Sequence, residues 1–232
     1  MVLPYDCLVI PVITEVSENF ARKATIHPDR RTIEYKNDWP FYDKGRGWAF
    51  TGTDFALFGS RESIDTVLHR LQKKGTVRRV IRGIYDYPRT SRIVGTMGPD
   101  IDQVARGLAR KFRWRIQPSG PVAQNLIGLS TQVPATYKYL SDGPDRSYQI
   151  GNTTLTFEKT VLKEVGFKNE ESALIVQALK SFGQDRVTPD VIAQIRKWLD
   201  PADRKKILVD TRTATSWIYS AIREICRENE DG

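Results

Sequence analysis

TDFALFGSRESIDTVLHRLQKKGTVRRVIRGIYDYP, residues 53–88, changes its hydrophobic rhythm part-way along, and that change decides the fold. Over 61–74 the apolar residues Ile64, Val67, Leu68 and Leu71 recur at i, i+3, i+4 and i+7. This is one stripe of a helix that Ser60 caps and Gly75 ends. Just upstream, Thr53 as N-cap and Gly59 as stop bracket a shorter helix over 54–58. Past Gly75 the period shortens: 76–81 and 84–87 are rich in β-branched and aromatic residues, and Arg82-Gly83 between them reads as a two-residue hairpin turn before Pro88. Two capped helices joined by a tight turn and followed by a hairpin predict a winged helix-turn-helix.

With the apolar stripe inward, Glu62, Asp65, Thr66, His69 and Lys73 face outward and Arg61, Ser63 and Arg70 flank them. A face of this kind suits a DNA major groove, where arginine bonds bidentately to guanine and a carboxylate accepts from the cytosine amino group. Lys73, Lys74, Arg78, Arg79 and Arg82 are placed to displace counterions from phosphates. The candidate contacts to double-stranded DNA are therefore Ser60, Arg61, Ser63, Thr66, His69, Arg70, Lys73, Lys74, Arg78, Arg79 and Arg82. The competing reading is a solvated amphipathic helix with a basic hairpin that binds nothing.

Charge distribution bears on that choice. The 232-residue chain carries +8 at neutral pH, with a pI near 9.5. Eight Lys and Arg stand against one acid between Arg70 and Arg92, and five stand against none between Arg106 and Arg115. These segments hold +7 and +5, so the remainder is at −4, 8 less 12. Phe112 and Trp114 interleave with the second cluster, as in a stacking surface for single strands or in a half-buried strand; the strand is the favoured reading.

The wider chain divides into an irregular arm over 1–28, the winged helix over 29–92 and a C-terminal α+β domain over 99–232, with a boundary near 90–98. A first helix is expected over 29–42, with Pro40 breaking its last turn. Beyond the boundary the pattern predicts a helix over 100–111, with Asp100 as N-cap. It then predicts a small helix opened by Ser119-Gly-Pro121, and a three-stranded antiparallel meander over 136–140, 147–150 and 153–157. Helices over 172–182, 188–199 and 213–227 complete it.

No apolar run approaches the roughly 18 residues of a membrane span, and the N-terminus lacks the basic region of a signal peptide. Cys7 and Cys226 form no CxxC or Cys/His cluster, so no cofactor, metal or disulfide is expected and the reading is cytoplasmic. His27 and His69 have no nucleophile or ligand at a recognisable spacing, and phosphate-loop and GxSxG motifs are absent, so an enzyme is not expected. One alternative is a nucleotidyltransferase-like enzyme holding Mg²⁺ on Asp100 and Asp102; another is a protein-interaction module without DNA binding.

Two blocks of residues resemble a known family. The first comprises the run WAFTGTDF from Trp48, Gly59-Ser-Arg61, Val67-Leu68, Arg70-Leu71, KGTVRR from Lys74 and RGIYDYP from Arg82. The second comprises Pro118-Ser-Gly120, Ala123, Asn125-Leu126, GLSTQVP from Gly128, Tyr139-Leu140 and Asp142-Gly-Pro144. Together, from about Gly45 onward, the chain resembles the AbiEi-like antitoxins of type IV toxin–antitoxin systems. The resemblance implies a winged helix that represses its own promoter, reading an inverted repeat, and a C-terminal domain that opposes a co-encoded nucleotidyltransferase toxin without a stable complex. It transfers DNA contact to Ser60 through Lys74 and to Arg78, Arg79 and Arg82. For Ser119 through Pro134 it transfers no role; that block is a structural junction or an antitoxic surface.

Overall fold

The computed structural model describes residues 39–132, 134–160 and 167–227, all within one compact unit, Trp39–Gly232. The expected arm over 1–28, most of the expected helix over 29–42, Cys7 and His27 lie outside the described residues. The fold is α+β, with eight α-helices and three small sheets among the described residues. No helix among them is long and apolar enough to cross a membrane.

Pro40 opens a helix instead of breaking one. It occupies the start of α1 (Pro40–Lys44), where a fixed φ suits the helix and no N–H is needed. Phe41 then joins an aromatic cluster: its ring lies 5.5 Å from Phe50, Phe50 lies 5.2 Å from Phe55, and Trp39 lies 4.9 Å from Phe55. The helix expected over 54–58 is a single 3-10 turn, Gly52–Phe55, capped by Thr51 and not by Thr53. Asp54 decides this, because its carboxylate accepts the Thr51 N–H at 2.8 Å and closes a reciprocal capping box two residues earlier.

Helix α2 (Arg61–Lys73) packs on that turn and buries Ile64 and Leu68, with Val67 and Leu71 half-buried. Ser60 caps it, accepting the Ser63 N–H. Strands β1 (Ala49–Phe50), β2 (Arg78–Ile81) and β3 (Ile84–Asp86) form an antiparallel sheet in the order β1-β3-β2. The turn between β2 and β3 uses Gly83 at φ +76°, a region that favours glycine. A second hairpin, β4 (Thr90–Ser91) and β5 (Gly95–Thr96), occupies the expected boundary segment.

Helix α3 (Ile101–Phe112), strand β6 (Ile116–Pro118) and helix α4 (Gly120–Leu126) lead into strands β7 (Thr136–Ser141), β8 (Arg146–Ile150) and β9 (Thr153–Lys159). The helix expected over 100–111 is α3, and the half-buried strand read around Phe112 and Trp114 is the end of that helix and a turn. The 3.6-residue spacing of Val104, Ala105, Leu108 and Ala109 sets the local structure there, and all four are buried.

The antiparallel meander is also corrected. Strands β8 and β9 form the expected hairpin, but β7 pairs with β9 in parallel, and the sheet order is β6-β7-β9-β8. Asp142-Gly143 does not make a tight turn. The Asp142 carboxylate accepts the Arg115 N–H at 2.8 Å, and a Cβ on Gly143 would meet the Trp114 ring at 2.4 Å, so this segment is bound to the α3–β6 connection.

The remaining helices are α5 (Glu170–Phe182), α6 (Pro189–Trp198), α7 (Arg204–Asp210) and α8 (Ser216–Cys226). Thr188 caps α6 as expected, whereas Ser172 lies buried inside α5 and Asn169 takes its cap position. Helices α4 to α8 enclose one apolar core around Ile175, Leu179, Ile195, Ile207 and Ile222. A second core joins Ala49 and Ile84 of the first sheet to Val104 and Leu108 of α3 and to Tyr139, Leu155 and Phe157 of the four-stranded sheet. Packing is thus continuous across 90–98.

Candidate nucleic-acid interface

Glu62, Asp65, Thr66, His69, Arg70 and Lys73 are exposed on α2, as is Arg61, while Ser63 is half-buried beside the cap. Ser60 and Ser63 spend their groups on the helix start: the Ser60 hydroxyl accepts the Ser63 N–H at 3.3 Å, and the two hydroxyls lie 3.1 Å apart. The Thr66 hydroxyl donates to the Glu62 carbonyl at 2.7 Å, which leaves it an acceptor and a methyl for an outside partner. Arg61 lies 3.9 Å from Asp65 across one exposed turn, a pair too solvated to hold either side chain firmly. The Glu62 backbone N–H, together with the Ser60 hydroxyl, holds the Glu62 carboxyl below the usual carboxylate range. Glu62 in the first turn of α2, beside Arg61, and Arg70 and Lys73 in its last turn carry signs that match the helix dipole.

Arg78 stands apart from the other hairpin cations. Its Nε donates to Asp86 Oδ1 at 3.0 Å, a second guanidinium nitrogen donates to Asp86 Oδ2, and Nη1 donates to the Met97 carbonyl at 2.8 Å. Asp86 is 1% exposed, so this fork neutralises a buried carboxylate and ties the first sheet to the β4–β5 hairpin. Arg78 is therefore removed from the expected set of phosphate contacts: its donors are committed inward.

Arg70, Lys73, Lys74, Arg79 and Arg82 are exposed, and none has an ion-pair partner among the described residues. They run from the last turn of α2 through the connection into the hairpin and its turn. The second basic cluster divides differently. Arg106 pairs with Asp102 at 2.7 Å and Glu170 at 2.6 Å, Arg110 with Asp54 at 3.0 Å, and Arg115 with Asp142 at 3.2 Å. Lys111 has no acidic partner among the described residues, and a Cβ on Gly83 would meet its ammonium at 2.8 Å. Lys111 therefore lies directly against the hairpin turn, a neighbour that sequence reasoning missed. Its sequence signals were its place at the end of the helix expected over 100–111 and its membership of the second basic cluster.

The Asp100 and Asp102 pair is spent on structure. Asp100 caps α3 through the Gln103 N–H at 3.3 Å, as expected, and pairs with Arg89 at 3.3 Å. Asp102 accepts from the buried Tyr139 hydroxyl at 2.8 Å and from Arg106. Burial, then the charge of Asp102 and its hydrogen bond, push the Tyr139 hydroxyl far above its ordinary range, so it remains a proton donor to that carboxylate. The two carboxylates are thus held by different cations and different donors.

A family model matches residues 41–207, from α1 into α7 and through both apolar cores. The chain belongs to the DUF6088 family. That family is described as one of unknown function. No curated protein matches this DUF6088 chain. The matched span includes the helix α2, the hairpin and Lys111 as well as the four-stranded sheet, so the basic surface lies inside the family region.

Proposed function

We propose that this DUF6088 chain is a cytoplasmic regulator that binds double-stranded DNA through a winged helix, with α2 as the recognition helix and the β2–β3 hairpin as the wing. One observation carries the reading. Arg70, Lys73, Lys74, Arg79 and Arg82 are exposed without acidic partners among the described residues, while Arg78, Arg106, Arg110 and Arg115 nearby are paired. Unpaired cations on adjoining elements match the spaced charges of a phosphate backbone. The order helix, hairpin, and a first strand closing beside β3 supports the winged-helix reading. Glu62 and Asp65 near the start of α2 suit base edges, where carboxylates accept from cytosine, and the exposed Arg61 beside them suits guanine.

The likeness to AbiEi-like antitoxins gives the regulation its direction: repression of the chain's own promoter, and opposition to a co-encoded nucleotidyltransferase toxin. The inward commitments of Asp100 and Asp102 weigh against the reading in which these carboxylates hold Mg²⁺.

The test is a titration of the full chain onto a duplex from its own upstream region and onto a scrambled duplex, at several salt concentrations. Affinity falls with salt at a slope of about −0.9 per phosphate neutralised, and the upstream duplex binds more tightly. Equal affinity for both duplexes refutes specific repression, and absence of binding refutes the DNA reading altogether.

A further inference from the structure

Three helices among the described residues end in the same backbone motif. In α2 the Thr76 N–H returns to the Leu71 carbonyl at 3.0 Å and the Gly75 N–H to Gln72 at 3.0 Å. After α4 the Leu129 N–H returns to Gln124 at 2.8 Å and the Gly128 N–H to Asn125 at 3.1 Å. After α3 the Trp114 N–H returns to Ala109 at 2.9 Å and the Arg113 N–H to Arg110 at 3.3 Å. The motif requires a residue in the left-handed region, and two of the three use glycine: Gly75 at φ +72° and Gly128 at φ +78°. The third uses Arg113 at φ +58°, the one non-glycine residue with positive φ among the described residues.

A side chain at this position strains the backbone, and glycine would relieve that strain without disturbing either hydrogen bond. Arg113 is also exposed and has no acidic partner among the described residues. Its guanidinium contributes no ion pair to the fold there, in contrast to Arg110 and Arg115 on either side. Two residues before it stands Lys111, whose ammonium lies against the hairpin turn at Gly83. Phe112, between them in sequence, stacks on Trp114 at 4.7 Å, and the exposed Arg146 lies over both rings at 5.0 and 5.5 Å. The cationic surface thus continues from the hairpin turn onto the end of α3 and the start of β8.

We infer that Lys111 and Arg113 are a second set of DNA-phosphate contacts, flanking the wing and extending the duplex path onto the C-terminal part of the unit. The arginine at this strained cap is exposed, and its charge is available to an anion outside the fold. This rests on the proposed DNA binding and adds to it a footprint that the helix and wing alone do not have. Contact with phosphates makes the contribution indifferent to base sequence.

Arg113→Gly and Lys111→Ala, singly and together in the full chain, test it by titration onto the upstream and scrambled duplexes across a salt series, with thermal melting alongside. Each substitution is expected to weaken binding to both duplexes by the same factor and to make the salt slope shallower by about one. Arg113→Gly is expected not to lower the melting temperature. Arg113→Asn, another residue that tolerates the left-handed region, should weaken binding equally and covers the case in which the glycine variant folds poorly. If wild type binds and the substituted chains keep its affinity and slope, this inference is overturned while the DNA reading stands. If the wild type binds neither duplex, the DNA reading fails and takes the flanking contacts with it.

Discussion

Arg78 and Arg79 are neighbours on one strand with opposite fates, and the pleat is the reason. Successive side chains leave a strand on opposite sides, so Arg78 turns to the buried Asp86 while Arg79 turns to solvent. Arg78→Ala would strand a carboxylate that is 1% exposed, a change costing about 3 kcal/mol. Arg79→Ala should lie within about 0.5 kcal/mol of wild type. Urea denaturation of the two variants checks this, and an equal effect would show that the fork to Asp86 is unimportant. The expected consequence for DNA is the reverse: Arg79→Ala weakens binding with stability intact, whereas Arg78→Ala acts through the fold.

Elements in this chain are positioned by groups that their own sequence does not reveal. Helix α5 begins at Glu170, and the segment leading into it is held by Asp210 from the end of α7, which accepts the Lys168 and Asn169 N–H groups at 3.0 Å each. Burial raises the Asp210 carboxyl, but the Asn169 and Lys168 N–H bonds outweigh it and hold the carboxyl below its usual range. A depressed folded-state pKa means that this stabilisation is present above the ordinary aspartate value, about 4, and is lost as pH falls below it. The stability gap between wild type and Asp210→Asn should therefore be widest near neutrality and shrink on acidification below that value. Denaturation curves at several pH values measure the gap, and a gap that does not change with pH removes Asp210 as the source. Patterning marked the helix but placed its start at Ser172, because a serine before an apolar run looks like a cap; burial among apolar helices left that serine interior.

At the scale of the whole molecule, the proposed DNA-binding surface and the four-stranded sheet share an apolar core. Ile84 of the hairpin is 0% exposed and Leu108 of α3 is 1% exposed, and both belong to the same cluster as Leu155 and Phe157. Replacing either by alanine should cost about 3 kcal/mol. Because the core is common, both substitutions should lower one cooperative thermal transition, in place of splitting it in two. Calorimetry of Ile84→Ala and Leu108→Ala distinguishes the outcomes, and two separated transitions in the Ile84 variant would show that the residues before and after 90–98 unfold independently.

What the sequence determined by itself is local: the bounds of α2, the turn at Gly83, the Ser60 and Asp100 caps, and a surplus of cations near the hairpin. These depend on residues within about four positions of one another, where helical and strand periodicity and capping act. The tertiary structure decided which cations are free. Arg110 meets Asp54 across 56 positions and Arg115 meets Asp142 across 27, so their charges are neutralised by partners that no local window contains. It likewise decided that β7 lies parallel to β9, since Asp142 and Gly143 are held by Arg115 and Trp114 and cannot close a hairpin. Charge in this chain is written locally, but its availability to a polyanion is set by folding. Only the folded chain brings the acids to Arg78, Arg110 and Arg115 and leaves Arg79, Arg82, Lys111 and Arg113 without an acidic partner among the described residues.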